Sequence, residues 1–347
     1  MKTETTEQDR RHLMKKIIFV LSLLLIPLVF IFTALFIGRY SVSVSEVFAA
    51  LVSPFTGSAG VSSQTLTVVL QLRLPRAIAA AFVGAGLSAS GTAFQGVFRN
   101  PLVDSGFLGV NSGAGFGAGL AILLFGTGFA TYGFAFAFGI SAVVFSYMIA
   151  KIYKAVPTIM LILGGTIVSS VFSALLTLLK SIADVNSELP AIVYWLMGSL
   201  ASVGYKDFWA LLVILAGMAG LTFFSWQINV ISMGEKEART LGVNVAFSKR
   251  MIIACATLAT AGGVCISGII GWVGLIIPHI GRMLVGNDNR KLLPVSISLG
   301  AVFMVTIDTI SRSVSTSEIP LGVLTALVGA PFFVFLLKKT KGGGWQM

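Results

Sequence analysis

Residues 251–285 read MIIACATLATAGGVCISGIIGWVGLIIPHIGRMLV, 35 positions in which Arg282 is the one charged side chain. A membrane-spanning helix needs about 20 apolar residues. The stretch is therefore long for one span and short for two. Gly268, Gly271, Gly274 and Pro278 supply a break, so it is read as two short spans, 7 and 8. The choice decides parity. Kept separate, they bring the chain to ten spans and both ends to one side. Merged, they would throw the basic cluster at 282–291 to the opposite side.

Working outward, apolar runs between polar punctuation place span 1 at 17–37, span 2 at 74–98 and span 3 at 106–125. Span 4 falls at 129–150, span 5 at 156–179 and span 6 at 208–226. Span 9 is at 292–311 and span 10 at 319–337. Residues 186–205 carry Tyr194, Trp195 and Tyr205 and suit an interfacial helix. The composition agrees. The chain has 347 residues, of which 56% are hydrophobic and only 11% charged, against about 25% charged in soluble domains. So few charges cannot cover a water-soluble surface, which makes lipid the surrounding medium. The net charge of +11 is then no argument for nucleic acid.

The basic residues orient the spans. With the N-terminus in the cytoplasm, Arg39, Arg73, Arg76, Lys180, Lys206 and Arg312 fall outside, and the other 18 of 24 fall inside. That is the expected positive-inside bias. The expected organisation is all-α and polytopic. A cytoplasmic tail at 1–16 precedes one transmembrane domain at 17–338, which carries a polar segment at 227–250, and a tail follows at 339–347. Span 1 is longer than the apolar part of a signal peptide, and no small-residue cleavage site follows it.

Catalytic chemistry is missing. There is no phosphate-binding G-x-x-x-x-G-K-[ST] run. The glycine-rich run at 109–119 lies in span 3 with Gly109, Gly113 and Gly117 four apart, the spacing of close helix packing. Cys255 and Cys265 are about 15 Å apart along one helix, beyond disulfide reach. Outside the tail, His279 is the sole histidine, so neither a metal cluster nor a cofactor is expected. Asp104 is placed to cap span 3. Asp308 and Arg312 are four apart, acid first, a favourable helical pair.

The longest charged stretch between spans includes Met233 to Val243. It is either a solvated loop or a short amphipathic helix that docks a cytoplasmic partner. In span 5, Thr166, Ser169, Ser173 and Thr177 recur at three- and four-residue steps and share a face. They either line a pathway or hydrogen-bond between packed helices.

A set of motifs then stands out. Leu72-Arg73-Leu74-Pro75-Arg76 opens span 2, followed by Gly84-Ala85-Gly86-Leu87-Ser88-Ala89-Ser90-Gly91, Gln95 and Asn100-Pro101-Leu102. Later come Ala238-Arg239-Thr240-Leu241-Gly242-Val243, the run from Gly271 to Arg282, Glu318-Ile319-Pro320-Leu321-Gly322-Val323 and Val328-Gly329-Ala330-Pro331. Over about residues 20–338 the sequence resembles the permeases of type II ABC importers for iron–siderophore complexes, haem or cobalamin, the FecCD/BtuC-like family.

The resemblance implies that permease fold with ten helices, a bacterial plasma (inner) membrane location and no enzymatic activity of the chain itself. It implies a second permease copy, two cytoplasmic ATPase subunits and an extracytoplasmic substrate-binding protein. Ferric siderophore is the first expectation for cargo. Residues 234–243 would dock on the ATPase, with Ala238, Leu241 and Val243 as an apolar face, Glu237 and Arg239 pairing at its rim, and Gly242 completing the motif. Arg73, Arg76 and Arg312 would receive carboxylates of the binding protein, or else anchor at the interface by snorkelling. Spans 5 and 10 would flank the pathway. The alternative from a different class is an ion-coupled secondary transporter with no ATPase; the scarcity of mid-membrane charges counts against it.

Overall fold

The computed structural model describes residues 2–56, 61–152, 158–315 and 317–339, and all the regular structure among them is helical. In chain order the helices are α1 (Lys2–Ala34), α2 (Val44–Thr56), α3 (Ser63–Leu66), α4 (Leu74–Phe98), α5 (Val110–Phe125), α6 (Phe129–Lys151) and α7 (Thr158–Ile182). Then follow α8 (Glu188–Met197), α9 (Phe208–Phe223), α10 (Ser225–Met233), α11 (Glu235–Thr240), α12 (Val245–Ser267), α13 (Val273–Val285), α14 (Asn289–Val314) and α15 (Leu321–Lys339). Seven helical segments are long and apolar enough to cross a membrane. Expected spans 3, 8 and 10 coincide with shorter apolar helices, α5, α13 and α15. Within 186–205, where an interfacial helix is expected, lies the ten-residue helix α8. Of the C-terminal tail at 339–347, residues 340–347 lie outside the described residues, and α1 continues the helix of span 1 back to Lys2.

The stretch at 251–285 does break in two. α12 ends at Ser267 and α13 starts at Val273. Gly268 has a left-handed backbone (φ +68°), and a Cβ there would sit 2.2 Å from the Trp195 carbonyl oxygen. The break is therefore pressed against the end of α8. Ser199 N–H donates to Ser267 O at 2.8 Å and Leu321 N–H donates to Gly198 O at 2.9 Å. The α12–α13 break, the end of α8 and the start of α15 thus lock at one point. The upstream boundary differs from expectation. α12 begins six residues earlier, at Val245, because the Asn244 side chain caps it by accepting the Phe247 N–H at 3.1 Å.

α2 and the approach to α4 have no counterpart among the expected spans. Residues Ser63–Phe98 form one continuous helix of 36 residues. A π-helical stretch, Thr67–Arg73, lies just before Pro75. A proline ring displaces the carbonyl of the preceding turn. The wider turn absorbs it, with Leu74 N–H reaching back to Val69 O.

α4 is the axis of the molecule. Of its 25 residues only Leu74, Ile78 and Phe82 are not buried. It packs chiefly on α14, α12, α13 and α9. Its small residues permit this. A Cβ at Gly84 would lie 2.1 Å from Gly300 O, and one at Gly91 would lie 2.1 Å from Gly274 O. The glycine run of α5 plays the same packing part, since a Cβ at Gly113 or Gly117 would lie 2.4 Å from a carbonyl oxygen of α6.

Candidate docking, coupling and pathway sites

At one end of the bundle α1, α4 and α14 converge on a cluster of five charges. Arg76, one turn into α4, is 8% exposed. Its Nε donates to Asp308 Oδ1 and Oδ2 at 2.9 and 3.1 Å. Its Nη1 and Nη2 donate to Glu318 Oε1 and Oε2 at 2.8 and 2.9 Å. This two-pronged fit is what a planar guanidinium offers a carboxylate. Arg312 Nε lies 3.7 Å from Asp308 Oδ2, so the pair read from the sequence forms, inside a larger network. Arg312 also donates to Ala34 O, and Arg73 donates to Leu35 O at 2.7 Å and to Tyr40 O. Ala34 ends α1 and Leu35 follows it, where carbonyls lack helical partners and the dipole favours cations.

All three arginines are thus buried and engaged within the chain. Glu318, whose side chain is 28% exposed, is the outermost member of the network around Arg76. Sequence reasoning named Glu318 only as part of a motif. Its contact with Arg76 spans 242 positions and has no local signature.

At the opposite end α10, α11 and α12 form the polar segment. α11 is a six-residue helix closed by Leu241 and Gly242. Val243 N–H reaches back to Ala238 O, and Gly242 N–H to Arg239 O, both at 3.0 Å. This double closure requires a left-handed residue after the helix, and Gly242 supplies it at φ +80°. The closure corrects one expectation. Ala238 (0% exposed) and Val243 (8%) face inward and pack in the permease's own core, while Leu241 is 55% exposed. The outward surface is therefore Lys236, Glu237, Arg239, Thr240, Leu241 and Gly242.

Two polar ties fix this segment. Asn229 of α10 donates to Asp288 Oδ1 at 2.6 Å and accepts the Asn289 N–H at 2.7 Å, which binds α10 to the start of α14. Partial burial pushes the Asp288 carboxyl up, but the hydrogen bonds from Asn229 and the Arg290 N–H and the charges of Arg290 and Lys291 outweigh it and hold it below its ordinary range. Lys249, buried in α12, donates to Glu235 of α11 and to Thr158 of α7.

On α7, Thr166, Ser173 and Thr177 are exposed and Ser169 is half-buried. Thr166 and Thr177 donate to carbonyls one turn back in their own helix. None of the four hydroxyls bonds to a neighbouring helix among the described residues. Ser170, also exposed, extends the stripe, and the sequence reading does not include it. Asp104 does not cap α5. Its Oδ1 accepts the Gly106 N–H at 2.5 Å inside the preceding loop, and burial pushes its carboxyl above the ordinary range against the pull of that hydrogen bond.

The sequence matches the FecCD transport family over residues 24–339. The chain belongs to that family. It is 44% identical over 335 residues to the molybdate import system permease MolB of Haemophilus influenzae, covering 95% of this chain and 97% of that one. It is 41% identical over 283 residues to the cobalamin import permease BtuC of Halobacterium salinarum, covering 80% and 75%. A solved inward-facing structure of a metal-chelate type ABC transporter superposes with a TM-score of 0.80 at 40% identity, covering 92% of this chain and 98% of that one. The fold is accordingly that of the ABC importer permeases. Members of the family are permease subunits, and ATP hydrolysis is carried by separate ATPase subunits. A multi-span permease of this kind is consistent with the bacterial inner membrane.

Proposed function

We propose that two copies of this chain form the pathway of a bacterial importer, with both termini cytoplasmic. Two ATPase subunits dock on α11 and a substrate-binding protein docks at the arginine end. The observation that carries the ATPase reading is Leu241. A large apolar side chain is held outward on a closed turn whose other apolar members are sunk in the core, which is how a rigid knob is presented to a partner. The exposed face of α7 supports the paired arrangement. Leu163, Ile167, Val171 and Leu178 lie exposed beside the hydroxyl stripe, so one helix presents an apolar strip for packing and a polar strip for passage.

For cargo, the resemblance to MolB along nearly the whole chain supports an oxyanion of the molybdate class. The ferric siderophore expected from the family at large is the competing reading, with haem and cobalamin behind it. Reconstituted with its ATPase and binding protein, the permease should take up radiolabelled molybdate in an ATP-dependent manner. Excess ferric chelate or cobalamin should not compete. ATP-dependent uptake of a labelled ferric chelate, with no molybdate uptake, would return the cargo to the iron class.

A further inference from the structure

Lys249 ties two neighbouring segments, α11 and its own helix α12, to a third that is distant in the chain, α7. It lies in the second turn of α12 and is 6% exposed. Its ammonium group donates to Glu235, the first residue of α11, and to Thr158 Oγ1, the first residue of α7, at 3.1 Å. α7 otherwise packs chiefly on α5 and α6. Lys249 is therefore a polar tie from the α11 segment to the start of the helix that carries the hydroxyl stripe. Thr166 lies eight residues further on, about 12 Å along that helix.

We infer that Lys249 is the positioning residue through which displacement of α11 is passed to α7. The inference rests on the reading of α11 as the ATPase-docking segment. A buried ammonium is costly without a carboxylate partner. When α11 is pushed or drawn by an ATPase, Glu235 therefore cannot leave Lys249 behind cheaply, and the pair moves as one. The remaining donors of the ammonium hold Thr158, so the start of α7 follows. Lysine suits the task because its three donors radiate from one atom and can serve an acid and a hydroxyl on different helices together.

The test uses the assembled transporter in proteoliposomes and reads cargo transported per ATP hydrolysed. Lys249→Met and the nearly isosteric Thr158→Val should each lower that ratio several-fold, with ATPase association intact. Lys249→Arg should recover much of it. Should Lys249→Met fail to assemble, Thr158→Val alone decides. A merely structural lysine would change stability and leave the ratio of the surviving complexes unchanged; an unchanged ratio in Thr158→Val overturns the inference. Leu241→Asp separates the two readings. If it leaves ATPase association intact, the docking assignment fails and the inference falls with it. If it abolishes association while Thr158→Val keeps a normal ratio, the docking reading stands and the role of Lys249 is refuted.

Discussion

Arg76 and Glu318, 242 positions apart, close the arginine end of the bundle through parallel hydrogen bonds of 2.8 and 2.9 Å. Asp308 holds the inner side of the same guanidinium and is itself 2% exposed. The two carboxylates are not equivalent. Asp308→Asn leaves Arg76 and Arg312 facing each other around a neutral amide. Removing one partner of a buried pair costs about 3–5 kcal/mol, so this variant should lose that much stability in thermal or denaturant unfolding in detergent. Glu318→Gln should cost about 1 kcal/mol or less, because the partly exposed Glu318 can exchange its partner for water.

The proposed docking of a binding protein at this end bears on Glu318. An incoming carboxylate must compete with it for the outer fork of Arg76. Glu318→Gln should therefore tighten binding-protein association several-fold at low salt, and the gain should shrink as salt rises. Association that is unchanged or weakened at low salt would remove Arg76 from the docking surface.

Close helix packing makes a sharper contrast. Gly84→Ala places a methyl group 2.1 Å from Gly300 O, a backbone atom that cannot swing aside as a side chain could. It should cost about 1–3 kcal/mol or more through overpacking. Gly133→Ala in α6 meets nothing within 4 Å and should be neutral or gain up to about 1 kcal/mol from helix propensity. Expression level and melting temperature of the two variants, side by side, check this.

Much of this architecture is legible in the chain alone, and the failures share a cause. Hydropathy locates α4 and α9 to within a few residues, because lipid selects apolar length. It also finds the break at Gly268, because glycines interrupt the run. It overlooks α2 and the helix before α4, where no long apolar run marks them. The motif around Leu241 is recognisable, but the direction of Ala238 and Val243 comes out reversed. Their inward turn depends on the backbone closure at Gly242 and on the core behind it, neither of which a helical wheel contains. Glu318 and Lys249 escape notice as partners since their contacts join distant segments.

The hydroxyl stripe gives a prediction by exposure. Cysteine at Thr166, Ser173 or Thr177 should react with a small water-soluble thiol reagent in at least one nucleotide state of the transporter. Cysteine at the half-buried Ser169 should react more slowly. Uniform inertness at all four positions would assign the stripe to packing or to lipid.

The most direct measurement of ATPase-driven import is uptake by proteoliposomes holding this permease and its binding protein, with and without the ATPase subunits, under identical ion gradients. Uptake should occur only with the ATPase and ATP, and should be lost in Leu241→Asp. Uptake of equal rate without the ATPase, driven by an ion gradient, would contradict the importer mechanism.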